Sequence, residues 1–129
     1  MPLLRIDIRK GRKPEEVKAL CNTIHRAVVA CFRVPERDRY QIVHEHEGHT
    51  LVVEDTGLDI HRTDQVVVIS MTSRPRSEEA KLAFYELVCT NLKKDCGIDS
   101  SDVMVNITVN ADSDWSFGYG RAQFVAGDL

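Results

Sequence analysis

The chain has 129 residues, 43% of them hydrophobic, which suffices for one domain with its own core and is too short for two ordinary ones. Seventeen basic against twenty acidic residues give a net charge of −3, so there is no broad positive field for nucleic acid and any anion site must be local. No apolar run approaches membrane length, and Leu4, Ile6 and Ile8 alternate with Arg5 and Asp7 where a signal peptide would be continuously apolar; a cytoplasmic protein without a membrane partner is expected.

The first notable residue is Pro2. Removal of Met1 would leave it as a free secondary amine at the chain start. An α-amino group titrates near ~8, so burial and neighbouring charge can make it an acid, a base or a nucleophile at neutral pH. A proline here also simply suits start-site processing, so Pro2 gains meaning only from its company.

An extended run over about 3–9 reaches turn signals at Gly11 and Pro14, and Glu15-Glu16-Val17-Lys18 then opens a helix. Val17, Leu20, Cys21, Ile24, Ala27, Val28, Cys31 and Phe32 form its apolar stripe at the 3.6-residue period. Pro35 is expected to end it, and Tyr40 to His44 reads as a second strand. Leu51-Val52-Val53 reads as a short strand or loop. The order then recurs: an apolar run from Gln65 to Thr72, a turn from Ser73 to Ser77, a helix opened by Glu78-Glu79-Ala80-Lys81 and closed by Gly97, and a strand from Val103 to Val109.

The two Glu-Glu-X-Lys openings lie 63 residues apart, and Asp38 and Asp102, each just before a strand, lie 64 apart. The chain is therefore read as one domain, 1–129, in the α+β class: a duplicated strand-helix-strand unit (about 2–46 and about 65–109) followed by an arm, 110–129. Each unit pairs its strands in parallel through a right-handed crossover. Joined about a pseudo-twofold axis, the units give a four-stranded mixed sheet with a central antiparallel pair and both helices on one face. Val66-Val67-Val68-Ile69 is apolar at both parities, as in a strand buried on both sides, so further copies of the chain are expected to cover the other face.

In that topology Pro2 begins one central strand and Arg74 and Arg76 follow the end of the other, while Asp38 precedes the strand parallel to the first. All four reach one sheet edge. Arg74 precedes a proline and is biased to extended backbone, where i and i+2 point the same way, so Arg74 and Arg76 can share a carboxylate. The plain alternative is a helix-entry loop in which they pair with Glu78 or Glu79.

The four cysteines, Cys21, Cys31, Cys89 and Cys96, show no paired spacing and read as reduced core residues. His44, His46 and His49, with Glu45 and Glu47 between, invite comparison with a metal site, but no second cluster completes a shell. They read as exposed strand-end histidines, and no metal or cofactor is expected.

Several segments, taken in order, resemble the malonate semialdehyde decarboxylases of the tautomerase superfamily. They are Pro2, Val34-Pro35-Glu36-Arg37-Asp38-Arg39-Tyr40-Gln41-Ile42-Val43-His44-Glu45, Val52 to Gly57, Ser73-Arg74-Pro75-Arg76, and Asp114-Trp115-Ser116-Phe117-Gly118. The resemblance implies a homotrimeric, cofactor-independent enzyme that converts malonate semialdehyde (3-oxopropanoate) to acetaldehyde and carbon dioxide. By position it implies catalytic roles for Pro2, Asp38, Arg74 and Arg76, and an apolar substrate wall of Trp115 and Phe117 with Phe124 and Leu129. Plain core or subunit packing is the other reading of Trp115 and Phe117, and a turn acid that of Asp38.

Decarboxylation of a 3-oxo acid leaves an electron pair that must be stabilised as an enolate at the aldehyde oxygen. A protonated Pro2 would donate a hydrogen bond to that oxygen, whereas a neutral Pro2 would condense to an iminium electron sink. Asp38 favours the cation and the arginines disfavour it, so the sequence leaves both routes open, and the protonated form is the working reading. A tautomerase or hydratase acting on 2-oxo, acetylenic or haloacrylic acids would use the same residues. A non-catalytic trimeric binding module would follow if Met1 stayed on.

Overall fold

The computed structural model describes residues 1–129. Its sheet is built from β1 (Leu3–Arg9), β2 (Tyr40–His46), β3 (Val67–Ser73) and β4 (Val103–Val109), in the order β2-β1-β3-β4. β1 runs parallel to β2 and antiparallel to β3, and β3 runs parallel to β4. Two long helices, α1 (Pro14–Phe32) and α2 (Glu78–Cys96), pack on one face, and a single turn of helix, α3 (Gln123–Ala126), lies in the C-terminal arm. This is the duplicated, mixed-sheet α+β architecture expected from the sequence. Leu3 to Val67 and Pro14 to Glu78 are each 64 residues, and Tyr40 to Val103 is 63, so the slip between the halves falls after the helices.

Alternation in the strands decides the layers. Leu4, Ile6 and Ile8 of β1 and Val67, Ile69 and Met71 of β3 are all buried, and they meet Leu20, Ile24, Val28 and Phe32 of α1 and Phe84, Val88 and Leu92 of α2 in one cluster. Each such side chain contributes roughly 1.5–3 kcal/mol by leaving water. The end of α1 meets the early part of α2 through the Phe32 and Phe84 rings, 5.2 Å apart. The opposite sheet face is uncovered by any helix. There Arg5, Ile42, His44 and Met104 are exposed and Val68 is half-buried, so the apolar parity of Val68 is not used up within one chain.

Several boundaries differ from the sequence reading. α1 stops at Phe32, before the proline, because Arg33 takes a left-handed conformation (φ 53°) and donates its N–H to Val29. Val34 must in any case be extended before Pro35. β2 continues to His46, whose Nε2 lies 2.6 Å from Asp7 Oδ1 on the neighbouring strand, so this histidine is half-buried and engaged, unlike the exposed His44 and His49. Residues 51–53 are loop, with Val52 79% exposed. All four cysteines are free and sit on the helices, but they are half-buried at the margin of the core and not within it.

Helix ends follow local chemistry. α1 begins with Pro14 in its first turn, and the Glu16 carboxylate accepts the Lys13 N–H at 2.8 Å. α2 is capped by Ser77, whose Oγ accepts the Ala80 N–H at 3.0 Å, and closed by Gly97 at φ 68°. Ser77 therefore fixes where the loop carrying Arg74 and Arg76 ends. No helix is long and apolar enough to cross a membrane.

Candidate active site

The register places the candidates at one edge of the sheet. Leu3 faces Tyr40 on one side and Thr72 on the other, so the start of β1 adjoins the start of β2 and the end of β3. Pro2 is buried there. Before it, the Met1 ammonium forms an ion pair and hydrogen bond with Asp38 Oδ2, the two side chains being 16% and 8% exposed. Asp38 is held in a turn closed by its own N–H on the Pro35 carbonyl at 3.0 Å. His25 of α1 braces the turn, its Nε2 lying 2.8 Å from the Glu36 carbonyl, which explains a buried histidine on an apolar stripe.

Burial lowers the pKa of the terminal amine from its ordinary value of 8.0; Asp38 opposes that shift through its hydrogen bond and charge, and the charges of Arg76 and Arg74 add to it. One amine thus senses all three neighbours. Burial likewise lowers Arg76, with Arg74 adding repulsion and Asp38 attraction.

The two arginines stand near this amine, yet their guanidinium groups are held by different partners. Arg74 donates from Nη1 to Asp112 at 3.0 Å, and its guanidinium carbon lies 3.7 Å from the centroid of the Phe124 ring. Arg76 donates from Nε to Ser73 Oγ and from Nη1 to the Phe32 carbonyl, each at 3.1 Å. Neither forms an ion pair with Glu78 or Glu79. Two of their donors, Arg74 Nε and Arg76 Nη2, are buried with no partner. Orphaned cationic donors are costly, which marks a place where an anion would be welcome.

The arm supplies an aromatic wall. Trp115 stacks on Phe117 at 5.5 Å, Phe117 meets Phe124 edge-on at 5.4 Å, and Trp115 Nε1 is anchored to Asn110 Oδ1 at 2.7 Å. A cleft of about 540 Å³ opens between this wall and the chain start, bordered by Met1, Arg37, Asp38, Tyr40, Phe117 and Leu129. Phe117 and Leu129 face it directly; Trp115 and Phe124 support it from the stack. Arg74 and Arg76 do not border it, and Arg76 instead borders a separate cavity of about 570 Å³ between the end of α1 and the start of α2.

Tyr40, Arg37, Gln123 and Asp112 were missed by the sequence reading. Tyr40 had a usable signal, because a residue opening the strand parallel to β1 must stand beside the chain start; its ring stacks on Phe117 at 5.6 Å. Gln123 had none, since it acts through contacts across the arm, accepting the Phe117 N–H at 2.9 Å and donating to the Gly118 carbonyl at 3.0 Å. Asp102, the repeat counterpart of Asp38, lies at the opposite sheet edge with its carboxylate filled by the N–H and hydroxyl of Thr63.

Comparison with known proteins agrees with this geometry. Residues 2–61 and residues 38–118 each match a family of tautomerase enzymes. The chain is 50% identical over 129 residues to the probable tautomerase YrdN of Bacillus subtilis (strain 168), covering all of both chains. It is 32% identical to the probable tautomerase YusQ of the same organism, over 97% of this chain and 99% of that one. Among solved structures it is similar to a malonate semialdehyde decarboxylase described with decarboxylase and hydratase activities (48% identity, 98% of each chain, TM-score 0.97). It is also similar to the FG41 malonate semialdehyde decarboxylase inhibited by 3-bromopropiolate (38% identity, 98% of this chain and 97% of that one, TM-score 0.94). A buried chain start beside Asp38, on a duplicated strand-helix-strand sheet that superimposes on these enzymes from end to end, places the chain in the tautomerase superfamily.

Proposed function

We propose that this protein is a cofactor-independent carboxy-lyase that converts malonate semialdehyde to acetaldehyde and carbon dioxide, with Pro2 as its terminal amine once Met1 is removed. The observation that carries the reading is the chain-start amine paired with Asp38, at the edge of an apolar-walled cleft and within charge reach of Arg74 and Arg76. The similarity to two malonate semialdehyde decarboxylase structures supports the same choice.

The residues divide the chemistry. The orphaned donors of Arg74 and Arg76 favour a carboxylate; as they do not border the cleft, their side chains must turn toward the substrate, and their task is then orientation: held out of the carbonyl plane, the breaking carbon–carbon bond overlaps the π system. The protonated Pro2 amine donates to the aldehyde oxygen as the bonding pair moves into the enolate, and the α-carbon then takes a proton to give acetaldehyde. Asp38 opposes the burial that lowers the Met1 amine, and it would act in the same sense on the Pro2 amine that replaces it. The wall of Phe117 and Leu129 excludes water from a charge that must leave the carboxylate.

The test is an intact mass, followed by coupled detection of acetaldehyde and carbon dioxide. Loss of Met1 and turnover abolished in Pro2→Ala, Arg74→Ala and Arg76→Ala are expected; a retained Met1, or full activity in Pro2→Ala, sinks the reading. Borohydride trapping of a Pro2 adduct with the substrate would replace the general-acid route by the iminium route.

A tautomerase or hydratase reading is favoured by the names of the Bacillus subtilis relatives and by the hydratase activity of the 48% identical structure. Enol-to-keto conversion or hydration without carbon dioxide release would establish it. We also propose a homotrimer that covers the uncovered sheet face around Ile42, Val68 and Met104, testable by light scattering.

A further inference from the structure

The cleft at the chain start holds one cation that nothing in the structure engages. Arg37 borders it beside Asp38, is exposed, and has neither an ion pair nor a hydrogen bond. Every other charged side chain there is occupied, Asp38 by the terminal ammonium and Asp128 by Arg121 at 2.9 Å. Gln123, the one amide on the cleft, uses its oxygen on the Phe117 N–H and its nitrogen on the Gly118 carbonyl. Arg76 commits Nε and Nη1 to Ser73 and Phe32 and its Nη2 is shut off from solvent, while Arg74 holds Asp112 and lies on Phe124.

An acid diffusing into the cleft therefore meets Arg37 as its first free cation. The base of that side chain is fixed, because the turn carrying it is closed by the Asp38 N–H on the Pro35 carbonyl and braced by His25 on the Glu36 carbonyl. A solvated guanidinium at a cleft mouth costs little to leave unpaired, speeds the encounter with an anion, and offers a planar pair of donors that fits a carboxylate.

We infer that Arg37 is a substrate-binding residue of this cleft, the guanidinium that captures the carboxylate of the incoming oxo acid. The inference rests on the reading that the cleft binds a small carboxylate, and it assigns Arg37 a role separate from the orienting role of Arg74 and Arg76.

The experiment compares wild type with Arg37→Ala, Arg37→Gln and Arg37→Lys in two measurements. In steady-state turnover of malonate semialdehyde, the alanine and glutamine variants should raise KM about tenfold with kcat within about twofold, and the lysine variant should recover most of the loss. Salt should depress kcat/KM of the wild type and leave that of Arg37→Ala nearly flat, a dependence that a merely structural role would not remove. Propanoate, a non-reactive carboxylate, is titrated in parallel by NMR shift perturbation, and its affinity should fall about tenfold in Arg37→Ala. Unchanged KM and unchanged propanoate affinity in both neutral variants, or no propanoate binding by the wild type, overturn the inference. A wild type that decarboxylates nothing yet binds propanoate through Arg37 removes the decarboxylase reading and leaves Arg37 in place.

Discussion

The guanidinium carbon of Arg74 lies over the Phe124 ring, 3.7 Å from its centroid, and ties the loop after β3 to the helical turn of the C-terminal arm. Asp112 completes the tie at 3.0 Å. Because Phe124 is 9% exposed and itself meets Phe117 edge-on, the cation and the aromatic wall are positioned as one unit. Phe124→Leu keeps apolar volume but removes the ring face, and should cost about 1 kcal/mol in urea unfolding together with a fall in kcat/KM. Phe124→Ala should cost about 2–4 kcal/mol. An unchanged kcat/KM in the leucine variant would show that the stack does not position Arg74.

The terminal amine makes a signed prediction about pH. The Met1 amine's folded pKa lies below 8.0 because burial, joined by the charges of Arg76 and Arg74, outweighs Asp38, so between that lowered value and 8.0 the unfolded chain binds more protons than the folded one. Stability should rise as pH rises through this window and level off above it, read from urea midpoints at successive pH values. Asp38→Asn removes both influences that hold the amine up, so its pKa should fall further, and Arg76→Gln should raise it. NMR titration of the terminal residue measures both shifts. If the protonated amine is the acid, the alkaline limb of the rate profile moves down in Asp38→Asn; an upward move contradicts the assignment of Asp38 as its partner.

Asp102 should behave unlike its repeat counterpart. It is 1% exposed and accepts the Thr63 N–H at 2.7 Å as well as the Thr63 hydroxyl. Asp102→Ala removes both charge-assisted hydrogen bonds of a buried carboxylate, and because Thr63 is itself exposed and can turn to water, it is expected to cost about 1–2 kcal/mol of stability with kcat preserved at permissive temperature. Asp38→Ala should instead lose activity at smaller cost in stability. Reversal of the two outcomes in paired thermal melts and assays would mean that the sheet edges have been assigned the wrong way round.

Thiol chemistry offers a check on the core margin. Burial raises the pKa values of Cys21, Cys31 and Cys89, so little thiolate is present at neutral pH. Native protein should react slowly with iodoacetamide at these three positions, and unfolded protein should take up four equivalents, followed by mass spectrometry. Fast labelling of Cys21 in the native state would contradict its packing.

Most of the fold was legible because it was written twice. The periodic stripe from Val17 to Phe32 and the alternation of Leu4, Ile6 and Ile8 each specify one element, and their recurrence near residue 65 specifies the topology that brings Asp38 to the chain start. Pro35 gave only an outer limit for α1, since a proline disfavours helix at the residue before it but does not say where the left-handed Arg33 will fall. The partners of the arginines were not legible. Extended backbone at residue 74 indicates a direction, but Asp112, Ser73 and the Phe32 carbonyl are reached through long side chains whose targets depend on packing. Tyr40 reaches the cleft through strand register, which the sequence implied and chemistry-bearing motifs concealed, and Arg37 through the turn just ahead of β2.

Met1 and Leu129 line the same cleft. Any affinity tag fused upstream of the first residue would thread foreign chain past Asp38, and one appended downstream would crowd the wall at Phe117. Recombinant material for assay therefore calls for a cleavable fusion that regenerates the native start, or for an epitope inserted in the exposed turn at Thr56 and Gly57, where positive φ already marks a tight bend on the surface.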